Sequence, residues 1–278
     1  MGTKAKQAGL ILIATVLGIF FIVPVIWMVT ISLKSDAEAF LPNLNFIPDD
    51  PTIVNYTDAL SGGDLNVPIL RWIYNSLLVS VAGTLIVLAV DALAAYGLAR
   101  LDVPFKKWLL SLFLSTLMIP GIIWFVPQYV LFQDLGLIGT YHAFYLPFTS
   151  SAFGVFLLYQ FFRGFPKELE EAAHIDGANK WKIFYAVLLP SSKSILSTLA
   201  VLTFMGIFND YIWPFYASGG NDTMQTLTSG IAVMTQGSYV NSPNKLMALS
   251  TIATIPVLVV FLLAQKAIVR GITQSGIK

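Results

Sequence analysis

Six long runs of apolar residues, at about 9–32, 72–98, 108–133, 141–162, 194–217 and 247–269, constrain this chain more than any other feature. As helices at about 1.5 Å per residue, each is long enough to cross a hydrocarbon core of about 30 Å. Composition points the same way: 56% of residues are hydrophobic and only 11% charged, where a soluble domain carries about a quarter charged. The expected fold is therefore an all-α integral membrane protein with six transmembrane helices, one transmembrane domain over residues 1–278.

Thirteen of the sixteen basic residues fall on one side of these runs: Lys4, Lys6, Arg100, Lys106, Lys107, Arg163, Lys167, Lys180, Lys182, Lys193, Lys266, Arg270 and Lys278. Only Lys34, Arg71 and Lys245 fall on the other. Excess positive charge marks cytoplasmic loops, so both termini and the loop at about 163–193 are expected in the cytoplasm of a multi-pass cell-membrane protein. The first run is too long for a secretory signal and lacks a convincing cleavage site, so it reads as a retained helix.

Several chemistries are excluded. The chain has no cysteine, and two histidines, His142 and His174, make no cluster, so no metal site is expected. A net charge of +1 gives no sign of nucleic-acid binding. No GxxxxGK[ST] phosphate loop, GxSxG elbow or catalytic pair of carboxylates occurs, which argues against an enzyme. If ATP drives this protein, a separate chain must bind and hydrolyse it.

Two loops, about 34–71 and 217–246, face outward by the charge rule, as solvated connectors or as partner surfaces. Six prolines, Pro24, Pro120, Pro127, Pro147, Pro214 and Pro256, lie within the runs, where each is expected to bend its helix.

Candidate cargo contacts follow from the cost of burying polar groups. A carboxylate in lipid costs about 2.5–3.5 kcal/mol, so Asp91 and Asp210 need a partner or a wet cavity. Asp210 sits in the segment FNDYIWPF, where Asn209, Asp210, Tyr211 and Trp213 combine amide, carboxylate and aromatic groups. Such groups bind hydroxyls and cover the apolar faces of sugar rings, although the same set also suits a polar knot between helices or an aromatic belt. Trp124 and Gln128, with Tyr129 beside them, repeat the theme in the third run. Asp91 reads as a structural contact near Tyr96 and Arg100.

The loop EAAHIDGANKWKIFYAVLLP, Glu171 to Pro190, carries the sharpest pattern. Pro166 followed by Glu168, Glu170 and Glu171 predicts a helix start, and Gly177 predicts its end. Asp176 is placed to cap a second helix that ends at Pro190. In that helix Trp181, Phe184, Tyr185 and Leu188 fall at i, i+3, i+4 and i+7 and are expected to share one face. Such a stripe suits either the groove of a partner protein or a membrane surface.

This loop resembles the EAA motif of ABC importer membrane subunits. Glu171, Ala172, Ala173, Asp176, Gly177 and Ala178 match its first half; Phe184, Leu189 and Pro190 match its second. The segments FIPDDPTIVNYTDAL, YNSL, AAYGLARL, NDYIWPF and VRGITQSGIK are similar to the carbohydrate-uptake, maltose-type branch. Ser194 and Asp91 depart from that pattern, where proline and a small or apolar residue are commoner.

The resemblance implies a type I importer fold and one of two permease subunits lining a pathway. It implies a second permease, a cytoplasmic ATPase dimer that uses ATP and Mg, and an extracytoplasmic solute-binding protein. Residues 163–193 would seat in the ATPase, this chain would hold no cofactor, and the cargo would be a sugar or oligosaccharide. A polyol, a glycerol-phosphate or another polar solute is the alternative cargo. A membrane-embedded enzyme or scaffold leaves residues 171–190 unexplained.

Overall fold

The computed structural model describes residues 2–40, 45–61, 67–235 and 242–275, with side chains at 2–5, 264 and 266–275 outside the description. Among the described residues the chain is helical, with no strand. In chain order the α-helices are α1 (Gly2–Ser32), α2 (Asp36–Ala39), α3 (Val54–Ser61), α4 (Ile69–Arg100), α5 (Lys106–Thr116), α6 (Ile122–Asp134), α7 (Tyr141–Tyr145) and α8 (Ala152–Gly164). They continue as α9 (Lys167–Ile175), α10 (Lys180–Ile183), α11 (Leu189–Ser191), α12 (Lys193–Asn209), α13 (Ile212–Ala217), α14 (Leu227–Met234) and α15 (Pro243–Ser275).

Three of the expected runs form single long helices. Segments Lys6–Ser32, Ile69–Arg100 and Pro243–Leu263 each have the length and apolarity to cross a membrane. The other three are broken. The 108–133 run divides into α5 and α6, with Pro120 in the gap, and the 141–162 run divides at a 3-10 turn, Leu146–Phe148, that holds Pro147. The 194–217 run divides between α12 and α13 where Asp210 turns extended, at φ −68° and ψ 130°. Proline removes a backbone donor and disfavours helix at the residue before it, which accounts for the first two breaks. Pro24, Pro127 and Pro256, in contrast, lie inside continuous helices.

The chain divides into two compact units. In the first, residues 1–70 and 230–256, a buried polar network ties the end of α1 to α3 and the start of α15. The Asn55 amide donates to the carbonyls of Ser32 and Lys34 at 2.8 Å each, and the Asn244 amide donates to Asp36 Oδ1 at 2.8 Å and Asn55 Oδ1 at 3.0 Å. The side chains of α1 from Leu10 to Ile26 are mostly exposed.

The second unit, residues 71–229 and 257–278, is built around α4. One buried cluster joins Ala92, Ala95 and Tyr96 of α4 to Leu158 and Phe162 of α8, to Phe184 and Leu188, and to Ile195 and Leu199 of α12. A second joins Val79, Phe132, Ala143, Phe144, Ile207, Trp213 and Ala217.

Residues 222–227 of the outward loop at 217–246 fold onto the start of α4. Trp72 Nε1 donates to the Asp222 carbonyl at 2.6 Å, the Asn75 amide donates to Thr223 O at 2.9 Å and Gln225 O at 2.8 Å, and Leu227 N–H donates to Ser76 Oγ at 2.8 Å. Buried backbone groups need such partners, and α4 supplies them from side chains. Residues 236–241 of that loop, and the side chains of Lys4, Lys266, Arg270 and Lys278 in the charge argument, lie outside the described residues.

Candidate functional site

The segment from Pro166 to Ser192 forms two helical pieces joined at a tight turn. α9 begins after Pro166 with Glu168 and Glu170 in its first turn, where carboxylates favour the helix dipole. It ends in a Schellman motif: Gly177 N–H donates to His174 O at 3.0 Å and Ala178 N–H to Ala173 O at 2.9 Å. Gly177 sits at φ +79°, a conformation that disfavours any side chain.

The cap of the second piece differs from the expected one. Asn179 Oδ1, not Asp176, accepts from Lys182 N–H at 2.8 Å, and Asp176 serves as the C-cap of α9. Pro190 stands one residue before the end of the helical path Lys180–Ser191, which breaks at Ser192.

The aromatic stripe also splits. α10 has four residues and passes into a π turn, Phe184–Leu188, so the 3.6-residue period fails there. Phe184 and Leu188 enter the core, while Trp181 and Tyr185 are exposed at 64% and 59%. Glu171, Ala172, Asp176, Gly177 and Pro190 are exposed, Ala173 and Leu189 are half-buried, and Ala178 is buried. The pieces Lys180–Ser191 and Lys193–Asn209 meet at 77°.

Two residues of α4, neither among the expected site residues, grip this loop. Arg100 Nε lies 2.9 Å from Glu170 Oε1, and an Arg100 guanidinium NH2 also donates to the Phe165 carbonyl. Tyr96 OH donates to the Lys180 carbonyl at 3.0 Å, and its ring packs 4.9 Å from that of Phe184. Burial pushes the Glu170 carboxyl above its ordinary value, with the charges of Arg100 and Lys167 pulling it down. A polar cavity of about 270 Å³ lies here, lined in part by Arg100, Lys106, Lys167, Glu170 and Glu171.

The expected cargo residues are not one constellation. Trp213 is buried: its Nε1 donates to Ala143 O at 2.8 Å, and its ring meets Phe132 edge-on at 5.3 Å. It pins α13 to α6 and α7. Asp210 Oδ1 accepts from Ile212 N–H at 3.2 Å, and Thr228 Oγ1 donates to the Asp210 carbonyl at 2.8 Å, which satisfies the break between α12 and α13. Asn209, Tyr211 and Trp124 are exposed and Gln128 half-buried.

A larger cavity, about 430 Å³, opens between the break before α8 and the middle of α12, and the sequence reading missed it. Val87, Phe148, Ser150, Ser151, Leu199 and Thr203 line it, and none of its lining residues is charged. The available signal was Pro147 followed by Thr149, Ser150 and Ser151 ahead of an apolar run, the mark of a helix start inside what reads as one span.

Broken apolar helices around an uncharged cavity, with a polar elbow held to the same helix, define a polytopic membrane permease. The chain belongs to the family described as binding-protein-dependent transport system inner membrane component, whose model matches residues 92–274. It is the permease subunit of an ABC importer and not an enzyme, a multi-pass inner-membrane protein whose class works with an ATPase and a solute-binding protein. Similar proteins include the diacetylchitobiose uptake system permease protein NgcG of Streptomyces coelicolor, 31% identical over 92% of this chain and 84% of that one. The sn-glycerol-3-phosphate transport system permease protein UgpE of Agrobacterium fabrum is 31% identical over 94% of each. The lactose transport system permease protein LacG of Rhizobium radiobacter is 30% identical over 97% of this chain and 94% of that one. The fold matches a crystal structure of a bacterial ABC transporter involved in the import of the acidic polysaccharide alginate, with TM-score 0.78, 21% identity and coverage of 96% and 98%.

Proposed function

We propose that this chain pairs with a second permease to import a sugar or oligosaccharide. Residues 1–278 act as one transmembrane domain of six segments, three of them broken, with both termini and the loop at 163–193 in the cytoplasm. A partner ATPase dimer holds ATP and Mg; this chain binds neither. Closure of the ATPases moves α9 and α10, and α4 carries that movement to the helices around the larger cavity. Shifting such a two-state element from 1:99 to 99:1 takes about 5.5 kcal/mol of differential binding.

The observation that carries the cargo reading is the lining of the 430 Å³ cavity, which offers hydroxyls and apolar faces and no charge. Sugars present hydroxyl edges and apolar ring faces that match such walls. The similarity to NgcG and LacG, whose names specify diacetylchitobiose and lactose, points the same way. The similarity to UgpE favours sn-glycerol-3-phosphate as the second reading. A phosphate calls for Arg or Lys at its site, and this cavity has neither.

Purification of the tagged chain from its native membrane tests the proposal, with mass spectrometry of partners and ATPase assays against diacetylchitobiose, lactose and sn-glycerol-3-phosphate. The expected result is a second permease, an ATPase and stimulation by a sugar. Stimulation by sn-glycerol-3-phosphate alone overturns the cargo assignment, and recovery without an ATPase overturns the coupling assignment.

A further inference from the structure

Asp91 lies in the middle of α4 and is fully buried, at 0% exposure. Its Oδ1 accepts from Ser150 Oγ at 2.9 Å and from Ser151 N–H at 3.0 Å. Those two serines form the break ahead of α8, and both line the 430 Å³ cavity. Ser151 Oγ then accepts from Gly154 N–H at 3.2 Å and so caps α8. Asp91 itself does not line the cavity, whereas Val87, one turn earlier on the same helix, does.

The second oxygen, Oδ2, is buried and has no hydrogen-bond partner among the described residues. It faces Gly154 so closely that a Cβ there would stand 2.1 Å from it and 3.2 Å from Leu199 Cδ1. Real Cβ atoms do not approach an oxygen to 2.1 Å, so any side chain at position 154 would have to displace the Asp91 carboxyl. A burial this costly is normally offset by complete satisfaction of the group. Here half of the carboxyl is spent on two neighbouring residues of one broken loop.

We propose that Asp91 is a positioning residue that sets cargo selectivity by fixing Ser150 and Ser151 at the wall of the cavity. It does so without touching cargo. The inference rests on the cargo reading above. The carboxylate orients the Ser150 hydroxyl and holds the Ser151 amide at the entry to α8. The rim of the cavity is thereby set from α4, the helix whose last two turns, at Tyr96 and Arg100, hold the coupling loop. A residue that only pinned α8 to α4 would govern the amount of assembled protein and leave selectivity alone.

The test uses the complete importer in liposomes and two sugars that its binding protein loads, with the ratio of their uptake rates as the readout. Asp91→Asn keeps an acceptor oxygen and is expected to stay within about twofold of the wild-type ratio. Asp91→Ala is expected to shift the ratio about tenfold, equivalent to about 1.4 kcal/mol. Gly154→Ala, which displaces the carboxyl, is expected to shift it in the same direction and to add nothing when Asp91→Ala is already present. Where Asp91→Ala does not assemble, Asp91→Ser, too short to reach both serines, takes its place. Assembled Asp91→Ala or Asp91→Ser importer that keeps the wild-type ratio overturns the role of Asp91, as does full additivity of Asp91→Ala with Gly154→Ala. A wild-type importer that moves no sugar overturns the cargo reading, and the role of Asp91 falls with it.

Discussion

Arg100, in the last turn of α4, stands 2.9 Å from Glu170 of α9, and the arginine is almost wholly buried while the glutamate is partly so. Asp91 lies nine residues back along the same helix, about 13.5 Å at the helical rise. One continuous helix therefore holds the coupling loop at one place and the cavity wall at another. Removing one partner of a buried pair leaves an uncompensated charge, at about 3–5 kcal/mol, whereas replacing both with apolar groups is often neutral. Glu170→Leu alone is expected to lower thermal stability in detergent sharply. The double variant Arg100→Met with Glu170→Leu should recover most of that stability but leave cargo-stimulated ATPase activity low, and recovery of both would remove α4 from the coupling path.

Glu170 also makes a pH prediction whose sign is opposite to that of a surface salt bridge. Its carboxyl is raised above the ordinary value of 4.5, first by burial, so the folded state binds the proton more tightly than the unfolded chain does. Stability from this group is fully present below pH 4.5 and is lost as pH rises through the folded value. Acidification toward pH 4.5 should therefore raise the melting temperature of the wild type relative to Glu170→Gln. A relative fall on acidification would mean that Arg100 outweighs burial.

Gly177 is the residue at which the turn between α9 and α10 depends most on backbone freedom. At φ +79° an L-residue costs about 1–2 kcal/mol, so Gly177→Val should loosen the turn without affecting membrane insertion. Transport and ATPase association are expected to fall together. Normal uptake in that variant would count against a coupling role for the turn.

Much of this was legible from the sequence because hydrophobic runs, capping residues and charge asymmetry are local signals. The long helices α1, α4 and α15, the start of α9 at Pro166 and its end at Gly177 all follow from them. The breaks in three other runs were only partly legible: Pro120 and Pro147 signal bends, but apolar composition resumes beyond them and beyond Asp210, so each run reads as one span. Nor was the inward turn of Trp213. Its indole N–H finds the carbonyl of Ala143, 70 residues away, and no short-range pattern announces such a partner. Asp91 reads as a structural contact, but its partners, Ser150 and Ser151, lie about 60 residues away, where no local pattern points to them.

Asp210 is expected to behave as a turn residue before it behaves as a cargo contact. Its side chain accepts from Ile212 N–H across the turn between α12 and α13, so Asp210→Ala should cost about 1 kcal/mol of stability, while Asp210→Asn should keep most of it. Thermal melting of the two variants checks this. Altered cargo preference in Asp210→Asn with unchanged melting would return Asp210 to the cargo pathway.

The split stripe of the coupling loop separates the two roles that its periodicity merges. Phe184 is 6% exposed and packs with Tyr96, Leu158 and Phe162, so Phe184→Ala opens a cavity in the core and should cost about 3–5 kcal/mol. Tyr185, the next residue, is 59% exposed, and Trp181 is 64% exposed, so truncating either leaves the fold nearly unchanged. Large aromatics that project from a short helix serve as anchors in a partner's pocket, where one commonly contributes about 2 kcal/mol or more. Trp181→Ala and Tyr185→Ala are therefore expected to melt like the wild type and to lose affinity for the ATPase by tenfold or more. Retained affinity, combined with weaker partitioning to lipid vesicles, would assign the pair to the membrane surface instead. The comparison is sharp because residues 184 and 185 are neighbours in sequence, one ring in the core and the other exposed.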